Sequence, residues 1–170
     1  MERQHTGGRE AALQYLYMHD LLAEQGAQTF DEWLALQQPC LDVGSRAFAE
    51  QLVAAVIKHR PELDPEISAA ADNWDIARMA VVERNILRLA LAELLTRPGT
   101  SYKIIIDEAV DLAKRFSSEE AGAFVNGLLD KLCQKLRPGI AEEKSEAAAE
   151  TTDAPQSAQS TQSTETMNDE

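Results

Sequence analysis

Between residues 82 and 136 the large apolar residues recur at steps of three and four, in three consecutive runs. Val82, Ile86, Leu89, Ala90 and Leu94 form the first, which Pro98-Gly99 ends; Ile105, Ala109, Leu112, Ala113 and Phe116 form the second; Phe124, Leu128, Leu132 and Leu136 form the third. That period puts each run on one side of a helix. Burying a large apolar side chain contributes ~1.5–3 kcal/mol, so three stripes together are large against a net stability of about 5–15 kcal/mol. The spacing therefore predicts three amphipathic helices joined by short links and packed as an antiparallel bundle.

The first half reads the same way less cleanly. A helix is predicted over about Arg9 to Ala23, with Ala12, Leu13, Leu16, Tyr17 and Leu21 inward, then a short one from Phe30 to Leu36. A third covers about Val43 to His59 with Phe48, Leu52, Val53 and Val56 on its face; Pro61 is expected to stop it, because proline lacks a backbone donor. A fourth, shorter helix is predicted over Pro65 to Ala71. Only 8 Gly and 6 Pro in 170 residues leave few hairpin turns, so the class is all-α, with one helical domain over residues 1–140. Ser117-Ser118 followed by Glu119-Glu120 suits a helix N-terminus. Asp75 is read as starting another helical segment, with the Trp74 indole packed beneath the joint between the two halves of the domain.

The net charge of −13 is unevenly spread. Residues 141–170 hold eight acids against Lys144, a net of −7, which leaves 21 acids and 15 bases, or −6, for residues 1–140. This tail is low in large apolar residues and is expected to be a disordered acidic low-complexity segment. The body is only mildly acidic, so local cationic surface for a polyanion is not excluded.

Catalytic and metal chemistry find little support. Gly7-Gly8 lacks the spacing and the preceding strand of a phosphate loop. Cys40 and Cys133 are too far apart for a zinc or redox pair and are read as buried reduced thiols, while His5, His19 and His59 are mutually isolated. Asp107, Glu108 and Asp111 have the spacing to meet a divalent ion, but Lys114 and Arg115 one turn on favour an ion-paired face. No nucleophile has an evident base, so a binding protein is expected, not an enzyme, with no metal and no cofactor. No run approaches the roughly 18 apolar residues of a bilayer crossing, and a cytoplasmic location with no membrane is expected.

Specific motifs then add a resemblance. Val82-Glu83-Arg84-Asn85-Ile86-Leu87-Arg88-Leu89-Ala90, the run from Tyr102-Lys103-Ile104-Ile105-Ile106-Asp107-Glu108-Ala109 through Lys114-Arg115-Phe116, and Phe124-Val125-Asn126-Gly127-Leu128-Leu129-Asp130 occur in an order and spacing that closely resemble the NusB family of bacterial transcription antitermination factors. With Arg9-Glu10-Ala11-Ala12-Leu13-Gln14-Tyr15-Leu16-Tyr17 at the front, the likeness spans nearly all of residues 8–138. It implies two perpendicular three-helix bundles and a non-enzymatic role. It further implies pairing with the small-subunit ribosomal protein that acts as NusE, a grip on boxA-type RNA, entry into the RNA polymerase antitermination complex, and read-through in ribosomal RNA operons. Homodimers occur in the family.

Carried across residue by residue, the family's basic N-terminal stretch falls on residues 3–9, where this chain has only Arg3 and Arg9 with His5 between them. Tyr17, Tyr102, Phe116 and Phe124 match family positions at or near the RNA surface, core packing being the competing reading for the two phenylalanines. Lys103, Lys114 and Arg115 are the cations placed to compensate for the thin N-terminus. Glu83 matches an acid that meets the ribosomal partner, and Glu120 sits in a loop whose charge influences RNA affinity. The rival reading is a protein–protein adaptor with this fold and largely lost RNA binding.

Overall fold

Side-chain oxygens that occupy exposed backbone amides set most of the helix starts. The computed structural model describes residues 5–22 and 28–136. Six α-helices follow in order: α1 (Thr6–Leu22), α2 (Phe30–Gln37), α3 (Val43–Ala70), α4 (Val81–Thr96), α5 (Tyr102–Phe116) and α6 (Glu119–Leu136), with a 3-10 turn at Ile76–Arg78 ahead of α4. Thr29 and Glu32 form a reciprocal capping box at α2. The Asp42 carboxylate accepts from the Ser45 amide at 2.9 Å at α3, Asp75 accepts from Ala77 at 2.9 Å at the 3-10 turn, and the Ser118 hydroxyl accepts from Ala121 at 3.1 Å at α6. Each satisfies an amide with no carbonyl in its own helix and contributes about 1 kcal/mol. The capping role read for Asp75 is found; of the Ser117-Ser118 pair only Ser118 caps α6, while Ser117 ends α5 and its hydroxyl turns to Glu83.

No strand occurs among the described residues, and the all-α class holds. Helices α1–α3 make one three-helix bundle and α4–α6 the other, with α4 packed against α1, α3, α5 and α6 alike. Ten consecutive α4 residues, Asn85 to Leu94, are buried. Leu87, Leu91 and Ala92 lie outside the stripe read from the sequence yet are as enclosed as Ile86, because α4 has helices all round it.

Pro61 does not stop α3, and no separate helix begins at Pro65; both prolines lie inside one helix of 28 residues. They sit one turn apart on the exposed side, so the carbonyls their missing N–H groups leave unbonded, at Ile57 and Pro61, face the side where water can take over. Between and beyond them Leu63 and Ile67 are buried, and Asp64 receives the Arg88 guanidinium at 2.6 and 2.9 Å. Those contacts offset the roughly 3 kcal/mol that an interior proline costs.

Beyond α3, Asp72 and Asn73 both adopt left-handed backbone, with φ of 54° and 62°. Short polar side chains tolerate that region best. The turn is pinned by the Asn73 amide donating to the Ser68 carbonyl at 2.9 Å, the Trp74 amide donating to Ala71 at 3.0 Å, and the Ser68 hydroxyl donating to the Trp74 carbonyl at 2.7 Å. It swings the Trp74 side chain outward to 55% exposure, so the indole does not pack beneath the joint as the sequence suggested. Tyr17 and Leu21 are likewise exposed instead of inward, and Cys40 is exposed while Cys133 is buried. On α6 the core line is Ala121, Val125, Leu128, Leu129 and Leu132, which leaves Phe124 and Leu136 at its flank.

Gly7 and Gly8 belong to α1. A Cβ at Gly8 would lie 2.7 Å from the Ser45 carbonyl oxygen and 2.8 Å from Phe48 Cδ1, so α1 approaches α3 as closely as it does only because that side chain is absent. Gly8→Ala is expected to lower stability by about 1–3 kcal/mol, read as a reduced thermal midpoint with helix content retained. Arg3, Ala23 and the whole expected tail lie outside the described residues. No described helix is long and apolar enough to cross a membrane.

Candidate functional site

The structure draws the front of α1 inward. The His5 ring stacks on Phe48 with centroids 4.2 Å apart. Its burial, then the charges of Arg97 and Arg9, push its pKa below the ordinary imidazole value. Arg9 is only 4% exposed. Its Nε donates to Glu93 Oε2 at 2.9 Å and its Nη2 to Glu93 Oε1 at 2.5 Å, while Nη1 reaches Glu108 Oε2 at 3.4 Å. The Thr6 hydroxyl donates to the same Glu108 oxygen at 2.8 Å. Arg9 is thus a strut joining α1, α4 and α5, and Glu108 serves the interior instead of a solvated face. Tyr102 is also buried, with its hydroxyl lacking a partner among the described residues, so its ring offers no face to a base.

The corner where α5 passes into α6 gathers most of the other expected residues. Lys114 Nζ lies 3.0 Å from Glu119, Arg115 pairs with Glu10 of α1, and the Arg115 guanidinium stands 5.4 Å from the half-buried Phe116 ring. Exposed pairs of this kind contribute about 0.2–1 kcal/mol, so either cation can exchange its carboxylate for a phosphate at little cost. Gly122 gives Lys114 its course: a Cβ there would lie 2.7 Å from Lys114 Cγ. Glu120 is exposed, and its own amide and the Ser118 hydroxyl hold its carboxyl below the usual range. The Ser117 hydroxyl donates to Glu83 at 3.2 Å, which ties this corner to the start of α4.

One turn beyond Glu120, Phe124 lies 40% exposed along a groove of about 600 Å³ between α6 and the 3-10 turn. Trp74, Arg78, Met79, Glu83, Leu128 and Lys131 are among its lining residues, and the Arg78 guanidinium stands 5.6 Å from the Trp74 ring. Of the expected residues, Glu83 and Phe124 line this groove, Glu120 lies one turn before Phe124 on α6, and Lys114, Arg115 and Phe116 end α5 at the adjoining corner. Tyr17 and Lys103 are exposed elsewhere, on α1 and at the first turn of α5.

Sequence reasoning missed Gly122, Trp74 and Arg78; the signal for Trp74 was Asp72-Asn73, two residues that accept left-handed backbone, directly before an aromatic. Three further arginines are committed internally. Asp20 accepts from Arg60 Nη1 at 2.9 Å, Arg84 Nε at 3.1 Å, Arg88 Nη1 at 2.9 Å and Asn85 Nδ2 at 3.2 Å. Among the described residues no three His, Cys, Asp or Glu side chains converge as a metal-ligand group.

Comparison with known proteins fits this geometry. A family model described as NusB family matches residues 6–134. The chain is 43% identical over 129 residues to the transcription antitermination protein NusB of Geobacter sulfurreducens, covering 76% of this chain and 93% of that one. It is 43% identical over 131 residues to the protein of that name from Sorangium cellulosum, covering 76% and 91%. Among solved structures, a chain from the crystal structure of antitermination factors NusB and NusE in complex with dsRNA superposes with a TM-score of 0.71 at 32% identity, over 79% of this chain and 99% of that one. The solution structure of NusB from Aquifex aeolicus gives 0.65 at 28% identity, over 92% and 97%.

Proposed function

The chain belongs to the NusB family, and from that membership we propose that it is a transcription antitermination factor acting in the cytoplasm by binding, not by catalysis. With the ribosomal protein that acts as NusE it takes hold of boxA-type RNA and supports read-through by RNA polymerase in ribosomal RNA operons. The observation that carries this reading is the likeness to a chain solved with both NusE and dsRNA, which extends over 99% of that chain.

Roles follow from placement. Lys114 and Arg115 at the α5–α6 corner, with Lys103 at the other end of α5, meet phosphates; Phe116, Phe124 and Tyr17 offer ring faces to bases. Arg3, outside the described residues, adds a cation on sequence grounds alone. Arg9 and Tyr102 act from behind, by fixing α1 and α5. Glu83 meets the ribosomal partner, and the charge of Glu120 at the α5–α6 corner influences RNA affinity.

Reversing both corner charges, Lys114→Glu with Arg115→Glu, is expected to weaken retention of a boxA oligonucleotide by the heterodimer. The dependence of log affinity on log salt should flatten by about one to two units, since each lost phosphate contact removes roughly 0.7–0.9. Equal retention across the salt series would take both residues out of the site.

The adaptor reading is favoured by one specific observation: Arg9, Lys114 and Arg115 are each already matched with a carboxylate of the chain itself. Partner binding without any RNA retention by the heterodimer would establish it.

A further inference from the structure

The first turn of α1 is weakly made. Thr6 is followed by Gly7 and Gly8, glycine being the poorest helix former after proline, and no acidic residue in that turn answers the positive end of the helix dipole. Gly8 cannot give way to a stronger helix former, because the Ser45 carbonyl and Phe48 occupy the space. Side-chain contacts hold the turn instead: the Thr6 hydroxyl on Glu108, and the His5 ring lying flat on Phe48 of α3, with planes 10° from parallel.

That ring suits its place only while neutral. The Arg97 and Arg9 guanidiniums stand 4.5 and 5.1 Å from the centroid of the same phenylalanine, so an imidazolium would add a third cation to two. Glu93 and Asp42 are the acids that face His5, and both are engaged, Glu93 by two N–H groups of Arg9 and Asp42 by the Ser45 amide that it caps. On α5, Glu108 is taken by Thr6 and Arg9. Both ring nitrogens of an imidazolium are donors, yet His5 Nδ1 is buried with no hydrogen-bond partner among the described residues, so its N–H would be enclosed without an acceptor. A positive charge at this end of α1 also opposes the helix dipole.

Resting on the RNA-binding reading above, we propose that His5 is a positioning residue for the N-terminal segment, a latch that is closed while its ring is neutral and opens when the ring gains a proton. Closed, it clips the first turn of α1 to α3 and fixes the point from which residues 1–4 depart. Arg3, which the reading above gives to RNA, lies two residues before it in the chain. Opening removes that fixed point, and ordering the segment on RNA then costs more entropy. Burial, then the charges of Arg97 and Arg9, make the folded-state imidazole easier to deprotonate than a free one. Its neutral form therefore stabilises fully above the ordinary 6.5 and loses that contribution as pH falls from there through the folded value, so acidification is the opening signal.

The amides of Glu10 and Ala11 donate, by helical geometry, to the first-turn carbonyls of Thr6 and Gly7, and their hydrogen exchange in the full-length chain reports on the latch. From about pH 7.5 to about pH 5 their protection is expected to fall by about tenfold for each unit between the released and folded pKa values. His5→Phe, which stacks but cannot titrate, should hold protection level, and His5→Ala should show the low value throughout. Over the same range, filter retention of a boxA-type oligoribonucleotide by the heterodimer with the ribosomal partner should decline relative to His5→Phe.

Protection that falls equally in His5→Phe, or that does not fall in the unaltered chain, would overturn the latch. Retention that rises on acidification only when the histidine is present would make His5 a phosphate ligand and overturn the positioning role, as would a latch that opens with retention unmoved. If the unaltered heterodimer retains no RNA at any pH, the functional reading falls and the positioning role with it, while the exchange comparison still decides the latch.

Discussion

Arg9→Ala is expected to lower the unfolding free energy by about 3–5 kcal/mol, close to the whole stability of a marginal domain. The reason lies in what is left behind. Glu93 is 2% exposed and is held by two guanidinium N–H groups at 2.5 and 2.9 Å, so removing the arginine leaves a carboxylate buried without its counter-ion. Glu93→Ala should be comparably damaging, since it strands the guanidinium. Changing both together, to Arg9→Met with Glu93→Leu, should recover much of the loss, because apolar groups of similar size need no desolvation. Urea unfolding of the three variants checks this; a double variant no more stable than the single ones would show that stranding a buried charge is not the source of the loss. The double variant then tests function, since a strut should be replaceable by packing, whereas a phosphate ligand should not.

Asp20→Asn carries the second large effect, expected at about 3–5 kcal/mol near neutral pH. Three arginines, Arg60, Arg84 and Arg88, converge on this carboxylate, whose side chain is 2% exposed. Burial alone would raise its pKa, but the charges of Arg60, Arg88 and Arg84 and the Asn85 hydrogen bond outweigh burial and bring it below the ordinary 3.8. A carboxyl more acidic in the folded chain than in the unfolded one stabilises fully above the unfolded value and loses that contribution as pH falls through the folded one. The unaltered protein should therefore lose stability on acidification below about pH 4 more steeply than Asp20→Asn. The two stability curves should converge toward pH 2, and parallel curves would show that Asp20 does not titrate on folding.

The helix class and five of the six helices, all but α3, were legible because they rest on local information: the three- and four-residue spacing of apolar side chains and the serine and aspartate caps. What failed was decided at long range. Pro61 looks like a terminator until Leu63, Ile67 and the Arg88–Asp64 contact are seen holding the second half of α3 in place. Arg9 looks like an RNA ligand until Glu93, 84 residues away, is seen to claim it. Arg88 and Glu93 fall among the apolar residues of α4, and nothing nearby in the sequence says that their partners come from other helices. The α5–α6 corner was legible because its cations and rings are neighbours in sequence. The groove was not, since it needs Trp74 and Phe124 brought together from fifty residues apart.

The ten enclosed residues of α4 bear on how the molecule can be cut. A fragment severed in the loop after the 3-10 turn would keep α5 and α6 on the downstream side but hand the other flank of α4 to water. The upstream piece would lose the helix that plugs its own interior. Neither half is self-sufficient, so unfolding should be a single event, and the slowest-exchanging amides of the chain should cluster along α4. Recognition must then come from side chains on an unyielding frame, without one bundle closing on the other.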